Sequence, residues 1–90
     1  MEVLITGATD GLGGRLAELL AERGEDVLVH GRSPRRVEDV EREIGAAGSY
    51  VADLASLEEV RGLAAAVRSD REKLRALINN AGVIVPERTE

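Results

Sequence analysis

The stretch ITGATDGLGGRLAELLAERG, Ile5 to Gly24, decides how the chain is to be read. A short apolar run that begins at Val3 breaks into glycines at positions 7, 11 and 13, and then into a leucine-rich pattern of helical period. Leu12, Leu16, Leu19 and Leu20 fall at i, i+4, i+7 and i+8, which predicts one helical face from about Leu12 to Arg23, with Gly24 as the C′ stop. A strand that runs through glycines into a helix N-terminus brings free N–H groups and the positive end of the helix dipole to one point, where an anion is favoured. The spacing Gly-x-x-x-Gly-x-Gly is not the Gly-x-Gly-x-x-Gly fingerprint, and by itself it is also compatible with the blander alternative of a turn that only lets a helix pack closely. The lysine followed by Ser or Thr that marks a triphosphate-binding P-loop is absent, which argues against a nucleotide hydrolase.

Working outward, strands and helices alternate. Asp26 to His30 reads as a second strand, and Ser33-Pro34 starts a second helix, with Ser as N-cap and Pro at the first helical position. Val37, Val40 and Ile44 give that helix its apolar stripe and Gly45 ends it. Ser49 to Ala52 is a brief third strand. Ser56 with Glu59 fits a capping box at the head of a third helix, whose stripe is Val60, Leu63, Ala64 and Val67. A charged turn from Ser69 to Lys73 precedes a fourth strand, Ala76 to Ile78. The order β-α-β-α-β-α-β implies right-handed crossovers and a parallel sheet covered on both faces. The expected fold is therefore α/β, a doubly wound sheet of about four parallel strands with three helices. Residues 1–90 make a single partial domain, with 83–90, where Pro86 disfavours regular pairing, expected as an irregular tail.

Composition narrows the function. A chain of 90 residues supports at most one small core, and with Tyr50 as the sole aromatic residue that core is aliphatic. Without cysteine there is no disulfide framework, thiolate nucleophile or Cys-based zinc site, and no metal-ligand cluster is evident. No segment has the character of a signal sequence or membrane span, so a soluble, cytoplasmic setting is expected, with no membrane partner. The net charge of −5 argues against a nucleic-acid partner, which would need a surplus of Lys and Arg facing phosphates.

Three motifs in order give a resemblance. Thr6-Gly-Ala-Thr-Asp-Gly-Leu-Gly13 after the first strand, Asp53-Leu54 after the third and Asn79-Asn-Ala-Gly82 after the fourth resemble the N-terminal half of the short-chain dehydrogenase/reductase family, across residues 1 to 84. The resemblance implies a nicotinamide-dinucleotide site with a three-layer Rossmann-like fold, its strands in the order 3-2-1-4. It implies that Gly7, Gly11 and Gly13 form the turn approached by the pyrophosphate, lined also by Thr9, Asp10 and Leu12. Asp53 would sit near the adenine with Leu54 adding backbone contacts, and Asn79, Ala81 and Gly82 would border the cofactor. On residue type alone, Asn79 and Asn80 are equally a polar turn after a strand.

Cofactor preference is read at the end of the second strand. NAD-binding folds usually place a carboxylate there for the ribose hydroxyls, whereas this chain has His30-Gly-Arg32-Ser33 with Arg35 and Arg36 following. A guanidinium can pair bidentately with a 2′-phosphate and Ser33 can add a hydroxyl, so NADP is favoured over NAD, with Arg32, Ser33 and Arg35 as its expected contacts. For Arg35 and Arg36 the plainer reading is solvated first-turn residues. His30, the sole histidine, is expected in a structural or cofactor-edge role, and Glu38, Asp39, Glu41 and Glu43 as a solvated helix face.

The chemistry of the family is missing. The resemblance implies a Tyr-x-x-x-Lys pair with an upstream Ser, but Tyr50 is followed four positions later by Leu54 and the only lysine is Lys73. No catalytic residue is assigned and no dehydrogenase activity is expected of these residues alone. The reading is the NADP(H)-binding portion of an oxidoreductase; the alternative is a non-catalytic α/β fragment or scaffold without cofactor. Because the fourth strand would lie at an open edge, pairing of Ala76 to Ile78 with a second copy is expected, giving a homo-oligomer.

Overall fold

The computed structural model describes residues 1–70 and 74–80, Leu74 and Arg75 by their backbone alone. The expected tail at 83–90 lies outside the described residues. Four strands, β1 (Glu2–Thr6), β2 (Asp26–Gly31), β3 (Gly48–Val51) and β4 (Leu74–Asn79), alternate with helices α1 (Gly11–Glu22), α2 (Pro34–Ile44) and α3 (Leu57–Asp70). All strand pairs are parallel and the order across the sheet is β3-β2-β1-β4, as the resemblance implies.

Strands buried on both faces read as continuous apolar runs, and β1 and β2 follow that rule. Val3, Ile5, Val27 and Val29 face α1 and α2, where Ala8, Ala17 and Val37 complete a core. Leu4 and Leu28, one residue out of phase, face α3 and pack with Val67, Tyr50 and Leu63. Full burial of each such aliphatic side chain contributes about 1.5–3 kcal/mol. The same alternation sorts β4: Ala76 and Ile78 pack on the α1 side, while Leu77, in register with Leu4, belongs to the α3 side and is 61% exposed.

Two helix faces differ from expectation. On α1, Leu16 and Leu20 pack on the core, but Leu12 and Leu19 are exposed; the surface turned to the sheet is centred on Gly13 and Ala17. The reason is close approach: a Cβ at Gly13 would overlap the Gly7 carbonyl and the Asn80 side chain, so the smallest residues set the helix rotation. On α3 Ala64 is exposed, and Ser69 and Asp70, expected in a turn, are helical. No glycine or proline between Gly62 and Asp70 stops the helix there.

Candidate functional site

The strands end together. Thr6 is in register with Asn79, and Gly31 with Val51, so the carboxyl ends of all four strands lie at one end of the sheet. β1 has β2 on one side and β4 on the other, and the chain order reverses across it. In open α/β sheets such a reversal opens a crevice beyond the carboxyl ends of the strands.

The glycine loop leaves β1 through Gly7, whose φ of 66° lies in the left-handed region. Its turn is closed by the Asp10 N–H donating to the Gly7 carbonyl at 3.3 Å, and α1 begins with the Gly14 N–H donating to Asp10 O at 2.6 Å. Asp10 stands at the N-cap, yet its carboxylate makes no cap bond and no acidic residue lies in the first turn. The N–H groups of Gly11, Leu12 and Gly13 therefore form an uncapped positive helix end. The Asp10 carboxylate is 3.3 Å from Arg36 Nη2, which also donates to the Thr9 carbonyl at 2.8 Å. Arg36 thus straps the glycine loop to the first turn of α2.

At the end of β2 the chain turns outward through Arg32 and Ser33. Ser33 caps α2, its hydroxyl accepting the Arg36 N–H at 3.4 Å, and Pro34 occupies the first turn as the sequence suggests. Gly31 lies where loop and helix meet: a Cβ there would stand 2.8 Å from both Thr9 Cγ2 and Val37 Cγ2. Behind it His30 is buried, taking the Gly7 N–H on Nδ1 at 3.1 Å and lying 2.9 Å from the Ala52 carbonyl through Nε2.

After β3, Asp53 accepts the Ala55 N–H at 3.0 Å, holding the turn that carries Leu54. The expected capping box at α3 is half formed. Ser56 Oγ accepts the Glu59 N–H at 3.2 Å, but the Glu59 carboxylate takes the Asp53 N–H at 2.7 Å and not that of Ser56. That exchange ties α3 to the Asp53 turn. At β4, Thr6 Oγ1 lies 3.0 Å from Asn79 Oδ1 and accepts the Asn80 N–H at 2.9 Å, joining the ends of the two central strands.

A cavity of about 680 Å³ opens between these connections, within the size range of small-ligand sites. Of the sequence candidates, Gly7, Thr9, Asp10, Arg32, Ser33, Asp53 and Leu54 line it. Gly11, Leu12 and Gly13 stand in the first turn of α1 beside it, Leu12 with its side chain exposed. Asn79 is engaged with Thr6 at the end of β4. Arg35 is not brought in: it borders a separate groove with Glu38, Glu41 and Ser49, because one step along α2 turns it about 100° from Arg36. Ala81 and Gly82 lie outside the described residues. Lining residues that the sequence reading did not assign as contacts are Gly31, Arg36, Ala55 and Glu59, and Thr6 joins the strand ends beside them. Arg36 was read with Arg35 as a solvated first-turn residue, and Glu59 carried only the capping-box spacing from Ser56. Among the described residues no group of His, Asp or Glu is arranged to hold a metal, and no helix is long and apolar enough to cross a membrane.

The sequence matches the family model described as short chain dehydrogenase over residues 1–90. The chain belongs to the short-chain dehydrogenase family. Among curated short-chain dehydrogenases, chyC of Penicillium rubens is 43% identical over 83 residues, which cover 91% of this chain and 32% of that protein. Human retinol dehydrogenase 13 is 34% identical over 88 residues, covering 91% and 27%. Among solved structures, a metagenomic short-chain oxidoreductase in complex with NADP has a TM-score of 0.81 and 31% identity, with 92% of this chain and 39% of that chain covered. A variant of the actinorhodin polyketide ketoreductase with NADPH has a TM-score of 0.77 and 32% identity, with 91% and 33% covered. The chain therefore spans about a third of the length of these short-chain dehydrogenases.

Proposed function

We propose that this chain is the NADP(H)-binding portion of a short-chain dehydrogenase, and that the cavity between the glycine loop, Arg32-Ser33 and Asp53-Leu54 takes the adenosine end and pyrophosphate of the cofactor. The observation that carries the reading is the end of β2. Arg32 and Ser33 line the cavity at the position where a ribose-binding carboxylate would stand, beside an uncapped helix end. An arginine and a hydroxyl there favour a phosphate on the 2′ oxygen, and a carboxylate would repel it. The two neighbours described with NADP or NADPH support the same preference.

The fit is one of donors to anions. The first-turn N–H groups of α1 face a pyrophosphate without competition from a side-chain cap, and the glycine loop lets it come close. Thr9 and Asp10 are held by Arg36, and Asp53 by Glu59, so both walls are positioned before a ligand arrives. When bound, a nicotinamide dinucleotide supplies the redox chemistry; the residues of this chain bind and orient it. We assign no catalytic group to residues 1–90.

Calorimetric titration with NADPH and with NADH tests the reading. Saturable binding with NADPH the tighter ligand is expected, and replacing Arg32 by Ala should weaken NADPH about tenfold or more, the cost of one charged hydrogen bond, with little change for NADH. No saturable heat from either dinucleotide would leave the non-catalytic α/β unit as the function of this chain. We also propose that β4, at the outer edge of the sheet with Leu77 exposed, pairs with a second copy.

A further inference from the structure

The dinucleotide reading gives no task to His30, a side chain 1% exposed on the floor of the cavity. Its two contacts assign the ring. The Gly7 N–H can only donate, so Nδ1 at 3.1 Å carries a lone pair; the Ala52 carbonyl can only accept, so Nε2 at 2.9 Å carries the proton. An imidazolium would have no acceptor for Gly7, and the other neutral tautomer would oppose like groups at both ends. The ring is therefore neutral with hydrogen on Nε2.

The two backbone groups it joins are the first residue of the glycine loop and the residue before Asp53. Gly7 is the point at which the chain adopts a left-handed φ, and its carbonyl accepts the Asp10 N–H that closes the loop. A second bond between the same segments, the Ala8 N–H donating to the His30 carbonyl at 2.8 Å, fixes the next peptide along. Two successive amides of the loop are thus bound by one residue of β2, through its ring and its main chain. On the opposite side the same ring reaches the end of β3.

We infer that His30 is a positioning residue: in its neutral Nε2–H form it sets the orientation of the Gly7 peptide, and with it the turn that presents the α1 N-terminus to an anion. This rests on the reading of the cavity as a dinucleotide site, but its first consequence is measurable without ligand. A side chain that only filled space would be replaceable by any residue of similar volume. A positioning side chain is replaceable only by one that accepts from Gly7 and donates to Ala52. Glutamine offers both groups on one amide; leucine offers volume alone.

Since His30 is the only histidine, long-range ¹H–¹⁵N spectra of the labelled chain report this ring and no other. Protonated Nε2 and bare Nδ1 are expected, with a hydrogen-exchange-protected Gly7 amide. His30→Gln should keep that protection and His30→Leu should lose it, at least tenfold, while core amides such as those of Leu4 and Leu28 stay protected. NADPH affinity should follow the Gly7 amide, near wild type in the glutamine variant and about tenfold weaker in the leucine variant. A ring protonated on Nδ1, or equal Gly7 protection in both variants, would overturn the inference whatever the cofactor result. Should the leucine variant fail to fold, the wild-type ring spectrum and the glutamine variant still decide. Absence of NADPH binding in all three proteins, with the Gly7 pattern as expected, would sink the cofactor reading and support the positioning role.

Discussion

Gly11 and Gly13 stand two positions apart in the same motif and are required for different reasons. A Cβ on Gly13 would overlap the Gly7 carbonyl and the Asn80 amide, so Gly13→Ala must push α1 off the sheet. Overpacking of this kind costs about 1–3 kcal/mol, and a fall in melting temperature on the order of 4–24 °C is expected by calorimetry. A Cβ on Gly11 would meet nothing within 4 Å. Gly11→Ala should therefore leave stability unchanged or raise it by up to about 1 kcal/mol, since alanine is the better helix former. If a pyrophosphate approaches the loop, the added methyl should nevertheless weaken NADPH binding by about tenfold, measured by titration. Unaltered affinity would show that the ligand keeps away from this turn. The need for small residues was legible in the motif. The choice between Arg35 and Arg36 was not, since neighbouring helix positions point in different directions and only the docked helix shows which one reaches Thr9 and Asp10.

At the level of elements, boundaries followed from local chemistry. α2 runs from a Ser33 cap to Gly45 in the left-handed conformation at φ 67°, both legible because capping and αL preference act within a single turn. Ser33→Ala is expected to cost about 1 kcal/mol, read as a lower midpoint in urea with an unchanged slope. In α3, Gly62 lies mid-helix, is exposed, and a Cβ there would enter open space. Gly62→Ala should stabilise the chain by up to about 1 kcal/mol, roughly 4–8 °C in melting temperature for a domain of this size. A lower melting temperature would mean that something packs on this face. The faces of α1 and α3 and the end of α3 were misjudged. Period locates the leucines, but the contact of Gly13 with the loop sets the rotation, and a tertiary contact is invisible to periodicity.

For the molecule as a whole, among the described residues the sheet has two central strands, β1 and β2, flanked on both sides, and two outer strands, β3 and β4, the latter with Leu77 exposed. Edge pairing predicts a sedimentation coefficient that rises with concentration toward a dimer, and Leu77→Lys should shift the population to monomer without unfolding it, because the residue is already exposed. A wild-type monomer at high concentration would exclude the pairing.

The sequence by itself determined the α/β alternation and the caps of α2, because these rest on interactions within a few residues, and its three motifs carried the family resemblance that implies the strand order. Arg36 on the loop, Glu59 on the Asp53 turn, the rotation of α1 and the ring of His30 between two strand ends were decided only by the tertiary structure. Each joins residues distant in the chain or chooses between neighbours on one helix. Such contacts depend on angles and separations set when the layers pack, and no local spacing encodes them.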